Sequence, residues 1–225
     1  LSISYFPKRK MTGFGVERKN ANDDYARLFA QISRGDKGIM NSDFDYTKLQ
    51  FSYIQPWQVG GFGRLYTTIE AGKTPLFLLL DQLSDVRNFG AIIRTAECTG
   101  VNGIIIQKSG SAPINAETIK TSAGAAFKVP ICKVDHIKDA IFQLQSVAIK
   151  TVAATEKTES SVFDINFNQP IAIIMGSEHR GVNPSVLKMV DYKAKLPLLG
   201  EIGSLNVSVA CGAFLYETVR QRNSN

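Results

Sequence analysis

From residue 76 onward, blocks of apolar residues alternate with stretches of helical spacing. Leu76–Leu80 is an unbroken apolar run ended by Asp81, the pattern of a strand buried on both faces. Residues 90–99 have helical spacing, with Ile92, Ile93 and Ala96 available for packing. Gly103–Gln107 reads as a second apolar strand and residues 116–123 as a helix. Residues 129–134 read as a strand interrupted by Pro130. An amphipathic helix is predicted over 136–146, with Ile137, Ala140, Ile141 and Leu144 on one face. Residues 149–154 and Ile171–Met175 are further strands. Pro184 opens a helix running to about Val190, 193–198 is a short strand, and 206–221 a long last helix. Strands alternating with helices predict an α/β fold with a mainly parallel sheet covered on both faces.

Residues 1–75 are less regular. Gly13-Phe14-Gly15 and Gly60-Gly61-Phe62-Gly63 punctuate them, with polar clusters at 20–24 and 41–43. A short helix over 25–32 and strands near 51–54 and 64–69 are expected, and 71–75 reads as a linker. The chain therefore divides into a small module over 1–75 and a larger domain over 76–225.

Charge sharpens this division. The net charge is +6, and residues 1–75 hold 11 basic against 7 acidic side chains. A basic front segment suits a polyanionic partner. With 44% hydrophobic and 20% charged residues, the composition excludes collagen-like and fully disordered classes. The longest apolar runs fall far short of the ~20 residues of a membrane helix. The opening LSISYFPKRK has a basic cluster with no apolar stretch after it, so no secretory signal is expected and the cytoplasm is the expected compartment. Cys98, Cys132 and Cys211 are widely spaced and read as buried free thiols. His136 and His179 are the only histidines and belong to no C-x-x-C or H-x-x-x-H pattern, so no metal site is expected.

In open parallel sheets, ligands bind beyond the carboxyl ends of strands. Three loops there concentrate polar residues and glycines. In Asp85-Val86-Arg87-Asn88-Phe89-Gly90, Asn88 is a candidate helix cap, Gly90 allows close backbone approach, and Arg94 follows one turn inside. Gly176-Ser177-Glu178-His179-Arg180-Gly181 brackets a dense polar cluster between two glycines directly after a buried strand. The third runs from Leu196-Pro197-Leu198 to Ser204-Leu205-Asn206, where a plain cap explains Ser204 but not the leucine-rich loop. No G-x-G-x-x-G after a strand, no G-x-x-x-x-G-K-[ST] and no G-x-S-x-G is present. Dinucleotide-binding, P-loop and serine-hydrolase readings are disfavoured accordingly.

In this order, the three loops resemble the three signature motifs of the SpoU/TrmH family of RNA ribose 2′-O-methyltransferases. Residues 88–96 resemble motif one, 174–181 motif two, and 196–198 with 204–210 motif three. Ser109-Gly110-Ser111-Ala112-Pro113 followed by Ser122-Ala123-Gly124-Ala125 is most similar to the branch that methylates a guanosine of 23S ribosomal RNA. Leu196 and Leu198 stand where Ile and Met are commoner, and His179 where Gly or Asn is. Residues 1–75 do not match the small RNA-binding domain that often precedes the catalytic domain in that branch.

The resemblance implies a SPOUT fold with a C-terminal trefoil knot, a homodimer, and S-adenosylmethionine as methyl donor. It implies that Gly176, Leu196 and Leu205 line the cofactor site, with Leu198 and Thr155 as further candidates. Arg94 is the implied residue acting on the ribose 2′-OH. A free guanidinium is a poor base, its pKa exceeding ~12, so a clamp on phosphate and hydroxyl is the form considered. Asn88 and Glu178 would orient Arg94 or the ribose, and Ser204 and Asn206 the target nucleotide. Three other readings stay open: methylation of transfer RNA, a non-catalytic RNA-binding relative, and an unrelated α/β enzyme acting on a small molecule.

Overall fold

The computed structural model describes residues 74–223 and a short antiparallel pairing of Ile3–Ser4 (β1) with Gly15–Val16 (β2). The elements expected over 25–32, 51–54 and 64–69 lie outside the described residues. From Leu76 the chain runs through β3 (Leu76–Leu80), α1 (Val86–Cys98), β4 (Gly103–Gln107), α2 (Ala116–Thr121), β5 (Ile131–Val134) and α3 (Ile137–Ser146). It continues through β6 (Lys150–Ala154), β7 (Ile171–Met175), α4 (Pro184–Leu187), β8 (Tyr192–Ala194) and α5 (Val207–Asn223).

Strands β3–β8 form a six-stranded sheet in the order β5-β4-β3-β7-β6-β8, and every pairing is parallel. The two-residue period divides each strand between two cores. Leu76, Leu78 and Leu80 face the layer of α1, α2 and α5, with Ile92, Ile93 and Phe214. Phe77 and Leu79 face α3 and α4, with Ile141, Leu144 and Val186. All five β3 side chains are at most 1% exposed. Burying each contributes roughly 1.5–3 kcal/mol.

The strand periods in the sequence match the observed strands closely, whereas several helix ends differ. α1 begins at Val86, four residues before the predicted start, because Asp85 rather than Asn88 caps it: Asp85 Oδ1 accepts from Asn88 N at 2.7 Å. α4 stops at Leu187 instead of running to Val190, the next turn being closed by an i→i−3 bond from Met189 N to Val186 O (2.9 Å). β8 is confined to three residues within the predicted 193–198 region and its approach. Beyond it Lys195 is clipped to the loop after β6, with Lys195 N on Ser160 O and Val162 N on Lys195 O, both 2.9 Å. Cys132 and Cys211 are buried as expected, but Cys98 at the end of α1 is exposed. Burial pushes the Cys211 thiol up to about 12, which leaves it inert as a nucleophile. No helix among the described residues is long and apolar enough to cross a membrane.

At the amino edge of the sheet, Asp191 joins β8 to β6 and α3. Its carboxylate accepts from Thr151 N (2.9 Å), Thr151 Oγ1 (2.7 Å), Gln145 Nε2 (3.2 Å) and Lys150 Nζ (2.9 Å). Burial raises its pKa, but the donors from Lys150, Thr151 and Gln145 outweigh that and bring it to about 2. A depressed carboxyl pKa gives stability that is complete above the unfolded value, near 4, and is lost as pH falls toward 2. Urea unfolding at pH 7 and pH 2.5 should therefore show a loss in the native chain that is reduced in Asp191→Asn. At pH 7, Asp191→Ala should cost about 2 kcal/mol.

Candidate functional site

The three glycine- and polar-rich loops meet at the carboxyl end of the sheet, around a cavity of about 670 Å³. That volume suits a ligand of nucleoside size. Each wall has a local cause. Asp85 starts α1 and so lifts Asn88 into its first turn, half-buried. After β7 the chain turns at once: Ser177 N donates to Gly181 O (3.1 Å) and Gly181 N to Ser177 O (3.0 Å). Gly181 makes this possible with φ +66°, a conformation that favours glycine. The turn presents Glu178, His179 and Arg180 at its tip. Gly176 lies directly under it, where a Cβ would sit 2.0 Å from the Gly181 carbonyl carbon and 2.1 Å from Val182 N.

The third wall comes back from the sheet edge. Thr155 N donates to Ala194 O (3.0 Å), closing the end of β6 on β8. From there the chain crosses to α5, whose first turn is capped by Asn206: its Oδ1 accepts from Ser208 N (2.8 Å) and Ser208 Oγ (2.6 Å). The cap is thus Asn206 and not Ser204, which is exposed.

Side chains from all three loops are bonded to one another. Asn206 Nδ2 donates to Asn88 Oδ1 at 3.1 Å, and Asn88 Nδ2 donates to Glu178 Oε1 at 3.3 Å. Asp85 N donates to the same Glu178 oxygen at 3.2 Å. Behind the turn, the buried Asp81 carboxylate accepts from Asn183 N at 2.8 Å, and Asp81 N donates to Met175 O, also 2.8 Å. Burial raises the Asp81 pKa against the opposing effects of Asn183 and Lys138.

Of the ten site residues predicted from the sequence, nine line the cavity: Asn88, Thr155, Gly176, Glu178, Leu196, Leu198, Ser204, Leu205 and Asn206. Arg94 does not; it is exposed on α1, outside the cavity wall. Gly90 serves packing, its missing Cβ leaving room for Thr121 of α2, which a Cβ would meet at 2.6 Å. Sequence reasoning passed over Asp81, Asp85 and Ser208. An Asp just ahead of a helix is a readable capping signal at Asp85. Asp81 is marked only as the end of an apolar run and Ser208 only as a member of the third motif; the sequence does not show what either one bonds.

The lining fits a nucleoside-bearing methyl donor. Met175, Leu196, Leu205 and Phe214 give apolar surface, and Glu156 and Glu178 give carboxylates suited to a cationic sulfonium. Among the described residues, no group of three or more His, Cys, Asp or Glu could hold a metal ion.

The model of the SpoU rRNA Methylase family matches residues 75–216, which include all three loops. The chain belongs to this family. The 23S rRNA (guanosine-2′-O-)-methyltransferase RlmB of Pseudomonas aeruginosa is 34% identical over 170 residues, covering 75% of this chain and 68% of the relative. An uncharacterized tRNA/rRNA methyltransferase of Archaeoglobus fulgidus is 40% identical over 145 residues, 64% of each chain. The SpoU methyltransferase AviRb from Streptomyces viridochromogenes, solved with AdoMet, superposes with a TM-score of 0.64 at 30% identity, over 68% of this chain and 60% of AviRb. The TrmH/SpoU tRNA modifying enzyme of A. aeolicus gives 0.63 at 30% identity, over 68% of this chain and 77% of that one. The chain spans less than two thirds of the length of several such relatives.

Within this SpoU-family domain the tightest constraint on the cavity is Gly176. Gly176→Ala should destabilise the chain by about 2–3 kcal/mol, because the backbone of Gly181 and Val182 must move. Gly200→Ala, where a Cβ meets nothing within 4 Å, should stay within about 0.5 kcal/mol. Denaturant unfolding of the two variants beside the native chain tests the contrast.

Proposed function

We propose that this chain is an S-adenosylmethionine-dependent RNA methyltransferase that methylates a ribose 2′-OH of a guanosine in 23S rRNA. The observation that carries the reading is the line of side-chain hydrogen bonds joining Asn206, Asn88 and Glu178 along the wall of the cavity. A solvated loop set has no need of such a line. Family membership and the similarity to RlmB support both the chemistry and the RNA class.

When bound, S-adenosylmethionine supplies an electrophilic methyl group on sulfonium. Gly176, Leu196, Leu198, Leu205 and Thr155 hold it, with backbone groups and apolar side chains shielding it from water. The chain must then present one ribose hydroxyl in line and ease its deprotonation. Ser204 is exposed at the rim and meets the incoming nucleotide. Asn88, Glu178 and Asn206 form the fixed wall that orients the ribose. Lys157, His179 and Arg180 sit around the opening and receive phosphates.

Arg94 clamps phosphate and hydroxyl and stabilises the developing alkoxide. Because it is exposed outside the cavity of one protomer, it reaches the reaction only when RNA or a second copy brings the two together. A homodimer fits the exposed apolar residues Leu199, Ile202, Val209 and Tyr216 on the third loop and α5. Val209 and Tyr216 are seven residues apart, hence on one face of α5. The path of the chain, from central β7 to the edge strand β8 and back to α1, supports a trefoil knot over 176–206. The basic module at 1–75 adds phosphate contacts, and the cytoplasm is the site of action.

Labelled S-adenosylmethionine incubated with separated ribosomal and transfer RNAs, followed by nuclease mapping, tests the reading. Label in a guanosine ribose of the large ribosomal RNA is expected. Label confined to transfer RNA would reassign the substrate, and no label in either would end the proposal. Arg94→Ala should lower transfer at least 100-fold on the scale of a lost charge-stabilising group, with cofactor affinity nearly unchanged. RNA affinity should fall as salt rises.

A further inference from the structure

The hydrogen bonds across the three loops have a direction, and it is set at one end. A backbone N–H can only donate. Ser208 N meets one atom of the Asn206 amide at 2.8 Å, and the Ser208 hydroxyl meets the same atom at 2.6 Å. That atom must be the oxygen. Asn206 Nδ2 then faces Asn88 and donates to its Oδ1, which turns Asn88 Nδ2 toward Glu178. At the far end a second backbone donor, Asp85 N, meets the same carboxylate oxygen. Turning either amide over would set oxygen against oxygen.

We propose that Ser208 is a positioning residue of the methyl-transfer site: its backbone N–H sets the polarity of the Asn206–Asn88–Glu178 relay, its hydroxyl adds a second bond that holds the same Asn206 oxygen in place, and the carboxylate is thereby fixed at the wall. This rests on the reading of the cavity given above. Ser208 is half-buried at the start of α5 and is not among the residues lining the cavity, so it acts through Asn206.

Asn206 also caps α5, and capping alone would explain its bonds to Ser208. The two roles separate on Asn206→Asp. Asp and Asn cap helices about equally well, and a negative charge is favoured at a helix N-terminus. Capping alone therefore expects the variant to be as stable as the native chain or more so. The relay expects a loss. A second carboxylate oxygen would face Asn88 Oδ1, and Asn88 could escape only by turning its own oxygen against Glu178. Adding Glu178→Gln supplies a donor at that far end. The hydrogen bonds can then run in the opposite sense between Asn206, Asn88 and residue 178, at the cost of the bond from Asp85 N, which meets the same atom of residue 178 and can only donate; the net charge equals that of the native chain.

The test is a cycle of four full-length chains: native, Asn206→Asp, Glu178→Gln and the double variant. Each is followed by thermal melting and by calorimetric titration with S-adenosylhomocysteine. Asn206→Asp should melt about 3 °C lower and bind about tenfold more weakly. The double variant should recover part of both losses, the bond from Asp85 N being forfeited. Ser208→Ala should weaken binding about threefold, and Ser208→Thr, which keeps the hydroxyl, should recover it. Asn206→Asp melting at or above the native temperature would overturn the inference. So would a double variant no better than the sum of its singles, or a Ser208→Ala chain that binds as the native one does. A native chain that binds no S-adenosylhomocysteine would instead overturn the functional reading, leaving the melting cycle to judge the relay by itself.

Discussion

A single amide–amide hydrogen bond, from Asn206 Nδ2 to Asn88 Oδ1, ties together residues 118 apart in the chain. Each partner is held before it arrives. Asn88 stands in the first turn of a helix capped by Asp85, and Asn206 is itself the cap of another. The packing of α1 against α5 over a shared core brings those two helix starts to one place. Glu178 joins through the turn after β7, so the cavity wall follows from helix and strand placement more than from loop conformation. Polar side chains at a partly solvated wall gain little from each bond, about 1 kcal/mol. Their value lies in orientation, which the scaffold supplies and the relay transmits.

The sheet makes that scaffold stiff. β3 and β7 lie side by side at the centre, with every residue of both strands buried. Their carboxyl ends deliver the first two loops to the same height. Asp81 completes the junction from beneath, its carboxylate holding the backbone beyond the second loop at Asn183. A carboxylate so deeply buried is costly unless bonded, and here the bond also anchors the turn that carries Glu178.

Much of this was legible in the sequence because buried parallel strands leave a plain mark. Leu76–Leu80, Gly103–Gln107 and Ile171–Met175 can be read off as apolar runs, and the observed strands have those bounds. Polar loops directly after such strands pointed to the right end of the sheet. Helix boundaries were less legible, since Asp85 and Asn88 are equally good caps by type and only the bond to Asn88 N distinguishes them. The start of α5 carries the same ambiguity, Ser204 and Asn206 both being good caps by type, and only the bonds to Ser208 settle it on Asn206. Which loops meet was visible only through the family resemblance, because periodicity says nothing of contacts across 118 residues. The role of Asp81 is illegible for a related reason: its partner, the backbone N–H of Asn183, is 102 residues away and brought near only by the fold.

Hydrogen exchange with and without S-adenosylhomocysteine reaches the central claim most directly, that the three loops form one ligand site. Added ligand should slow exchange together at 85–90, in the turn after Gly176 and in the segment 196–206, while the amino edge around Asp191 is unchanged. Protection confined to one of these segments, or spread evenly over the sheet, would contradict a single shared pocket.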